Sequence, residues 1–125
     1  TGALKAGQLI SALPEGFTGV NTSAEIQIHP SGRFVYASNR GPDLLTVFAR
    51  DPANGKLDVV QHVSSGGGHP RHFALSPDGS WLVCANRDSD KLVPFRVDPA
   101  TGKLTPSGHT AIVPQAICVV FAGNP

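Results

Sequence analysis

Ser23-Ala24-Glu25-Ile26-Gln27-Ile28-His29-Pro30-Ser31-Gly32-Arg33-Phe34-Val35-Tyr36-Ala37-Ser38-Asn39-Arg40 reads as strand, tight turn, strand, ending on an arginine. The chain says it again. Arg71-His72-Phe73-Ala74-Leu75-Ser76-Pro77-Asp78-Gly79-Ser80-Trp81-Leu82-Val83-Cys84-Ala85-Asn86-Arg87 has the same grammar 47 positions later. From Pro30 to Leu57 the two copies align without a gap, and 13 of 28 pairs are identical. Average residue usage would give about one or two by chance. The repeat is a true duplication, and a repeat of this length dictates the architecture.

Each copy divides into four short runs rich in Val, Ile, Leu, Phe and Thr. The first copy gives Glu25–Ile28, Phe34–Ser38, Leu44–Ala49 and Leu57–Val63; the second gives His72–Ser76, Trp81–Ala85, Leu92–Val97 and Leu104–Ile112. Pro30-Ser31-Gly32 and Pro77-Asp78-Gly79 place Pro early and Gly late in a turn. Asp51-Pro52-Ala53-Asn54-Gly55-Lys56 and Asp98-Pro99-Ala100-Thr101-Gly102-Lys103 are one hairpin loop written twice. No run carries a helical period, so essentially no helix is expected. Four antiparallel strands every 40–50 residues is the signature of a propeller blade.

The fold class expected is therefore all-β, with blades of four antiparallel strands. Residues 1–22 are read as the outer strand of a preceding blade (Leu9–Leu13) and a loop, because Gly7-Gln8-Leu9 resembles Gly55-Lys56-Leu57. Residues 23–69 and 70–113 are two full blades, and 114–125 the inner strand of the next. A closed propeller needs four to eight blades. Two and a half leave open edges, so blade counting predicts a piece of a longer propeller, with self-association as the other way to cover those edges.

Composition narrows the function classes. A net charge of +1 leaves no footprint for nucleic acid or a charged membrane surface. No apolar run approaches the ~18 residues that cross a bilayer. Cys84 and Cys118 both lie in apolar strand-like runs. They are expected to be buried free thiols, with a single disulfide the alternative.

Several strings go beyond a generic blade. Ala24-Glu25-Ile26, Pro30-Ser31-Gly32-Arg33-Phe34-Val35-Tyr36-Ala37-Ser38-Asn39-Arg40, Pro70-Arg71-His72-Phe73, Asn86-Arg87-Asp88-Ser89-Asp90 and Phe95-Arg96-Val97-Asp98 resemble the C-terminal part of the seven-bladed β-propeller lactonases. That family includes the propeller-type 6-phosphogluconolactonases and is related to the carboxy-cis,cis-muconate cyclases. The resemblance runs from about Leu9 to Phe121. It implies seven blades, a chain roughly three times this length, and hydrolysis of a sugar lactone, typically 6-phosphogluconolactone of the pentose phosphate pathway. It implies no metal or organic cofactor, and a cytoplasmic enzyme with a periplasmic one left open. The family's site combines a histidine, a glutamate and arginines. Glu25 matches the glutamate and Arg71 an arginine; Arg40 is a further arginine typical of the family. The histidine would lie in an earlier blade, so the 125 residues alone are expected not to catalyse.

The residues themselves point the same way. Adjacent strands of a blade are antiparallel, so the start of the first and the end of the second share one end. Glu25, Arg40, Arg71 and Arg87 should therefore emerge on one face, with the two hairpin loops on the other. A carboxylate among arginines suits an anionic substrate. The planar guanidinium binds phosphate or carboxylate and can stabilise an oxyanion, while a glutamate can activate water directly or through a histidine. Glu25 and Arg71 are the candidate catalytic residues; Arg40, Arg87 and His72 are candidates for substrate binding. Arg40 and Arg87 occupy equivalent positions, and repetition favours a structural task such as bonding loop carbonyls or Asp43 and Asp90. Glu25 and Arg71 have His72 and Ala24 as counterparts, and departure from the repeat is what a site grafted on a repeating scaffold should display. His69-Pro70-Arg71-His72 lacks the further ligands a metal pair needs. Ser64-Ser65-Gly66-Gly67-Gly68 reads as a flexible crossover between blades rather than a phosphate loop. Three functions compete: a lactonase, a non-catalytic propeller scaffold, and a muconate-type cyclase.

Overall fold

The computed structural model describes residues 2–122. Two antiparallel meanders are built from nine strands among the described residues. The first sheet is β1 (Thr22–Ile28), β2 (Phe34–Arg40), β3 (Leu44–Arg50) and β4 (Leu57–Ser64), in that order. The second is β5 (Pro70–Leu75), β6 (Trp81–Asn86), β7 (Lys91–Val97) and β8 (Leu104–Pro106), with β9 (Ala111–Ile112) also on β7. The first sheet has the four strands that the repeat predicts, and the second has five, β8 and β9 both pairing with β7.

The burial pattern explains why the second strand of the first blade reads as an unbroken run. Phe34 through Asn39 are all buried, because a strand inside a stack of blades is covered on both faces. One set of side chains faces the second blade. Phe34, Tyr36, Leu45 and Val47 meet Phe73, Leu82, Cys84, Val93 and Phe95 in a shared core. The other set, Val35, Ala37 and Phe48, packs under Ile10, Ala12 and Leu57.

Three glutamines fasten the layers. The Gln61 amide donates to Leu104 O at 2.9 Å and accepts from Leu104 N–H at 2.7 Å. Gln27 does the same to Phe73 O and Leu75 N–H, and Gln8 to both backbone groups of Leu57. Each primary amide imitates one peptide unit of a neighbouring strand.

The two hairpin loops are near copies. Asp51 Oδ1 accepts from Ala53 N–H and Asp98 Oδ1 from Ala100 N–H, both at 2.8 Å. The backbone N–H of Thr101, and then that of Ala100, hold the Asp98 carboxyl below its usual range. One copy has an added task. Gly102 has φ +72°, and a Cβ there would strike the Phe34 ring. Its carbonyl accepts from the buried Tyr36 hydroxyl at 2.9 Å, and burial pushes that phenol up.

Four expectations need correction. Leu9–Leu13 forms no strand; it lies against the first blade, with Ala12 O accepting from Asn39 Nδ2 and the Thr46 hydroxyl. Residues 114–122 form no strand either, and 123–125 lie outside the described residues, as does Thr1. In both places the other strands of the blade that would supply a ladder are not among the described residues. The run Leu104–Ile112 is broken into β8 and β9. Cys118 is exposed, while Cys84 is buried as read, and both are free. As expected there is essentially no helix: a single 3₁₀ turn, Arg87–Ser89, occurs among the described residues. Among the described residues no helix is long and apolar enough to cross a membrane.

Candidate active site

Each blade carries an irregularity at the same place. In the first, the β1–β2 register shifts between Ser23 and Ile26, so Ala24 and Glu25 together face Ser38. In the second, the β5–β6 register shifts between Pro70 and His72, leaving Arg71 as the extra residue. Bulges of this kind bend a strand and re-aim its side chains. Here they fall on the two residues that break the repeat.

The Glu25 carboxylate turns toward the second blade. Its Oε2 lies 3.0 Å from His72 Nε2, and its Oε1 accepts from Ile26 N–H at 2.9 Å. The Ser38 hydroxyl accepts from Glu25 N–H at 3.0 Å, filling the place of the ladder bond lost at the bulge. His72 Nδ1 accepts from Val119 N–H at 3.2 Å. That nitrogen therefore carries no proton in the neutral ring, and Nε2–H is the donor to Glu25. Both side chains are about one quarter exposed, at 24% and 23%. The pair is reachable from solvent but shielded enough to keep its geometry.

The arginines divide into two kinds. Arg40 Nη2 donates to Ser23 O at 2.8 Å and Nε to Thr22 O at 3.4 Å, tying the end of β2 to the start of β1. Its Nη1 lies 3.4 Å from His69 Nε2. Arg87 pairs with its neighbour Asp88, Nε to Oδ1 at 2.7 Å, and not with Asp90. That bond above all draws the Asp88 carboxyl down. Arg71 is exposed, and among the described residues no carbonyl or carboxylate holds its guanidinium. Arg40 and Arg87 are thus anchored, and Arg71 is free to reach.

The structure brings Glu25 to His72 and Arg40 to His69, across the blade junction in both cases. Sequence reasoning weighed His69 only as half of a metal pair. Among the described residues no group of three or more His, Cys, Asp and Glu gathers as metal ligands would. Asp88 has no assigned role in the sequence reading, where Asp43 figures only as a structural partner for Arg40. Asp88 stands where the first blade has Gly41, a break in the repeat that could have flagged it. The crossover read as flexible is packed instead. Ser65 is fully buried, Gly68 N–H donates to Ser89 Oγ, and a Cβ on Gly67 would strike Ser89 Oγ and Asn86.

Comparison with known proteins places this arrangement. The family described as "Lactonase, 7-bladed beta-propeller" matches residues 1–121. A 6-phosphogluconolactonase of Bacillus subtilis is 38% identical over 114 residues, covering 91% of this chain and 33% of that protein. The periplasmic gluconolactonase PpgL of Pseudomonas aeruginosa superposes with a TM-score of 0.78 at 38% identity, covering 82% of this chain and 29% of that one. A protein of solved structure from Lactobacillus plantarum superposes with a TM-score of 0.82 at 33% identity, covering 87% and 32%. The chain spans about a third of the length of these relatives. With blades, turns and sequence matched along almost its whole length, the chain belongs to the seven-bladed β-propeller lactonase family.

Proposed function

We propose that the whole protein of which these blades are part hydrolyses a sugar lactone, 6-phosphogluconolactone to 6-phosphogluconate. The observation that carries this reading is the family match over residues 1–121, joined by relatives named 6-phosphogluconolactonase and gluconolactonase. The site supplies the chemistry such a reaction needs.

Water attacks the lactone carbonyl carbon, the carbonyl π electrons move to oxygen, and the attacking water loses a proton. Glu25 takes that proton, since its carboxylate keeps lone pairs beyond those used by Ile26 N–H and His72. Arg71, unanchored and exposed, faces the oxyanion or the anionic group of the substrate. Collapse of the tetrahedral intermediate breaks the ring C–O bond, and the departing alkoxide takes a proton, leaving a carboxylate and a hydroxyl. Arg40 and Arg87 are the further anion-binding groups, whereas His72, expected from the sequence as one, has both ring nitrogens engaged by Val119 N–H and Glu25 and orients that carboxylate. The blades absent from this chain supply the remaining walls of the cleft.

The test is lactone opening by the whole protein, measured against the spontaneous rate at the same pH. Acceleration supports the reading. A protein that binds a partner or ligand but leaves the lactone's lifetime unchanged is the scaffold alternative. Turnover of a muconate-type dicarboxylate in place of the sugar lactone is the cyclase alternative.

A further inference from the structure

His69 closes the crossover between the two blades in a left-handed backbone conformation, φ 60°. Two contacts hold it there. Asp43 Oδ1 accepts from His69 N–H at 3.0 Å, and His69 O accepts from Arg87 N–H at 3.1 Å. The imidazole lies between two charges of opposite sign. Arg40 Nη1 is 3.4 Å from Nε2, and Asp88 Oδ2 is 3.4 Å from Nδ1.

A guanidinium offers only donors. Nε2 must therefore be the lone-pair nitrogen, and in the neutral ring Nδ1 carries the proton, on the side of Asp88. One tautomer satisfies both neighbours. Adding a proton at Nε2 sets N–H against N–H and cation against cation. The other charged groups around the ring do not change this. Asp43 is engaged by the His69 and Gly41 N–H groups, and Arg87 by Asp88. On Arg40, Thr22 O, Ser23 O and His69 take three of the five N–H bonds. The two left lie one on each terminal nitrogen.

We propose that neutral His69 is a positioning residue of the candidate site: it aims the uncommitted N–H bonds of Arg40 at an anionic lactone and releases that aim when protonated. The proposal rests on the lactonase reading above for the nature of the ligand. Its geometric half stands by itself. Asp88 Oδ2 stands 3.4 Å from Nδ1, and its carboxyl is held low by Arg87.

Two measurements on the full-length protein test it. Imidazole ¹⁵N spectra, assigned with His69→Asn, read the tautomer directly. The expected result is Nδ1–H at about pH 7.5, with an Arg40 Nε signal that moves as His69 protonates. An Nε2–H tautomer, or an Arg40 signal indifferent to that titration, overturns the proposal. In steady-state hydrolysis of 6-phosphogluconolactone, His69→Asn keeps a residue that tolerates the backbone but cannot reach Arg40. It should raise KM about tenfold, the loss of one charge-assisted contact, with kcat little changed. His69→Gln puts a non-titrating acceptor near the place of Nε2. It should recover KM. An unmoved KM in His69→Asn, or no rescue by Gln, overturns the proposal as well. Absence of any lactone turnover in the wild type would sink the lactonase reading alone, and the ¹⁵N spectra would still decide His69.

Discussion

The two ends of the blades obey different rules. At the hairpin end the first blade and the second are near copies: Asp51 and Asp98 accept from the N–H two residues on, and differ in that Asp51 also accepts from the Asn54 side chain and Asp98 from the Thr101 backbone N–H. At the other end the backbones still match, bulge for bulge, but the side chains do not. In the repeat Ala24 corresponds to Arg71, Glu25 to His72, and Gly41 to Asp88. The repeat maintains the scaffold, and the exceptions to it make an asymmetric cluster at the blade junction. A duplicated fold can acquire a site in this way without disturbing its packing.

The contrast can be broken most sharply at Glu25. Glu25→Gln keeps shape and hydrogen-bonding reach but cannot accept the water's proton. The expected loss in kcat is about 100-fold or more, within the range of removing a general base, with an unfolding midpoint close to that of the wild type. Equal turnover in the variant would return Glu25 to the scaffold.

At the hairpin end the copies should differ in one respect. Gly102→Ala strains a φ of +72° and drives a methyl into the Phe34 ring, whereas Gly55→Ala strains a φ of +75° and meets only the flexible Arg50 side chain at 3.8 Å. Denaturant unfolding should give about 3 kcal/mol for the first and about 1 kcal/mol for the second. Equal costs would mean that the second hairpin does not rest on the first blade.

How much of this was legible beforehand follows the same division. The duplication exposed the blades, because thirteen identities set strands, turns and register together. It also exposed Glu25 and Arg71, as departures from a pattern. It could not expose the bulges, since an extra residue in β1 is matched by one in β5 and the alignment runs on undisturbed. Nor could it assign His69, whose partners lie at the end of β2 and in the 3₁₀ turn. The end segments misled for a physical reason. Leu9–Leu13 and Ala116–Phe121 have strand composition, yet a strand needs a neighbour's ladder, and Cys118 is exposed in the segment that lacks one.

The glutamine clamps carry no sequence signal, and they give a smaller test. Gln61→Ala removes both bonds to Leu104 across the blade junction and should cost about 1–2 kcal/mol. A neutral effect would leave apolar packing as the whole of the junction.

The smallest effect lies in the Pro77-Asp78-Gly79 turn. The Ser76 hydroxyl, then the Ser80 hydroxyl and backbone N–H, hold the exposed Asp78 carboxyl down at about 2. A folded-state value below the unfolded one gives stability that is present above the ordinary carboxylate range. It fades as pH falls from about 4 toward 2. Asp78→Asn should therefore lose a little stability above about pH 4, where the carboxylate contributes, and match the wild type near pH 2, so that its acid limb is slightly flatter. A loss confined to about pH 2, with none at neutral pH, would contradict the assigned cause.

The central claim is that chemistry sits where the blades disagree, and Arg71→Ala tests it most directly, because it restores the alanine that the first blade has at that position. Arg71 is exposed and held by no described partner. The account predicts an unfolding free energy within about 0.5 kcal/mol of wild type, together with at least about a tenfold fall in kcat/KM for 6-phosphogluconolactone in the full-length protein. Unchanged kcat/KM in a variant that completes the repeat would contradict it.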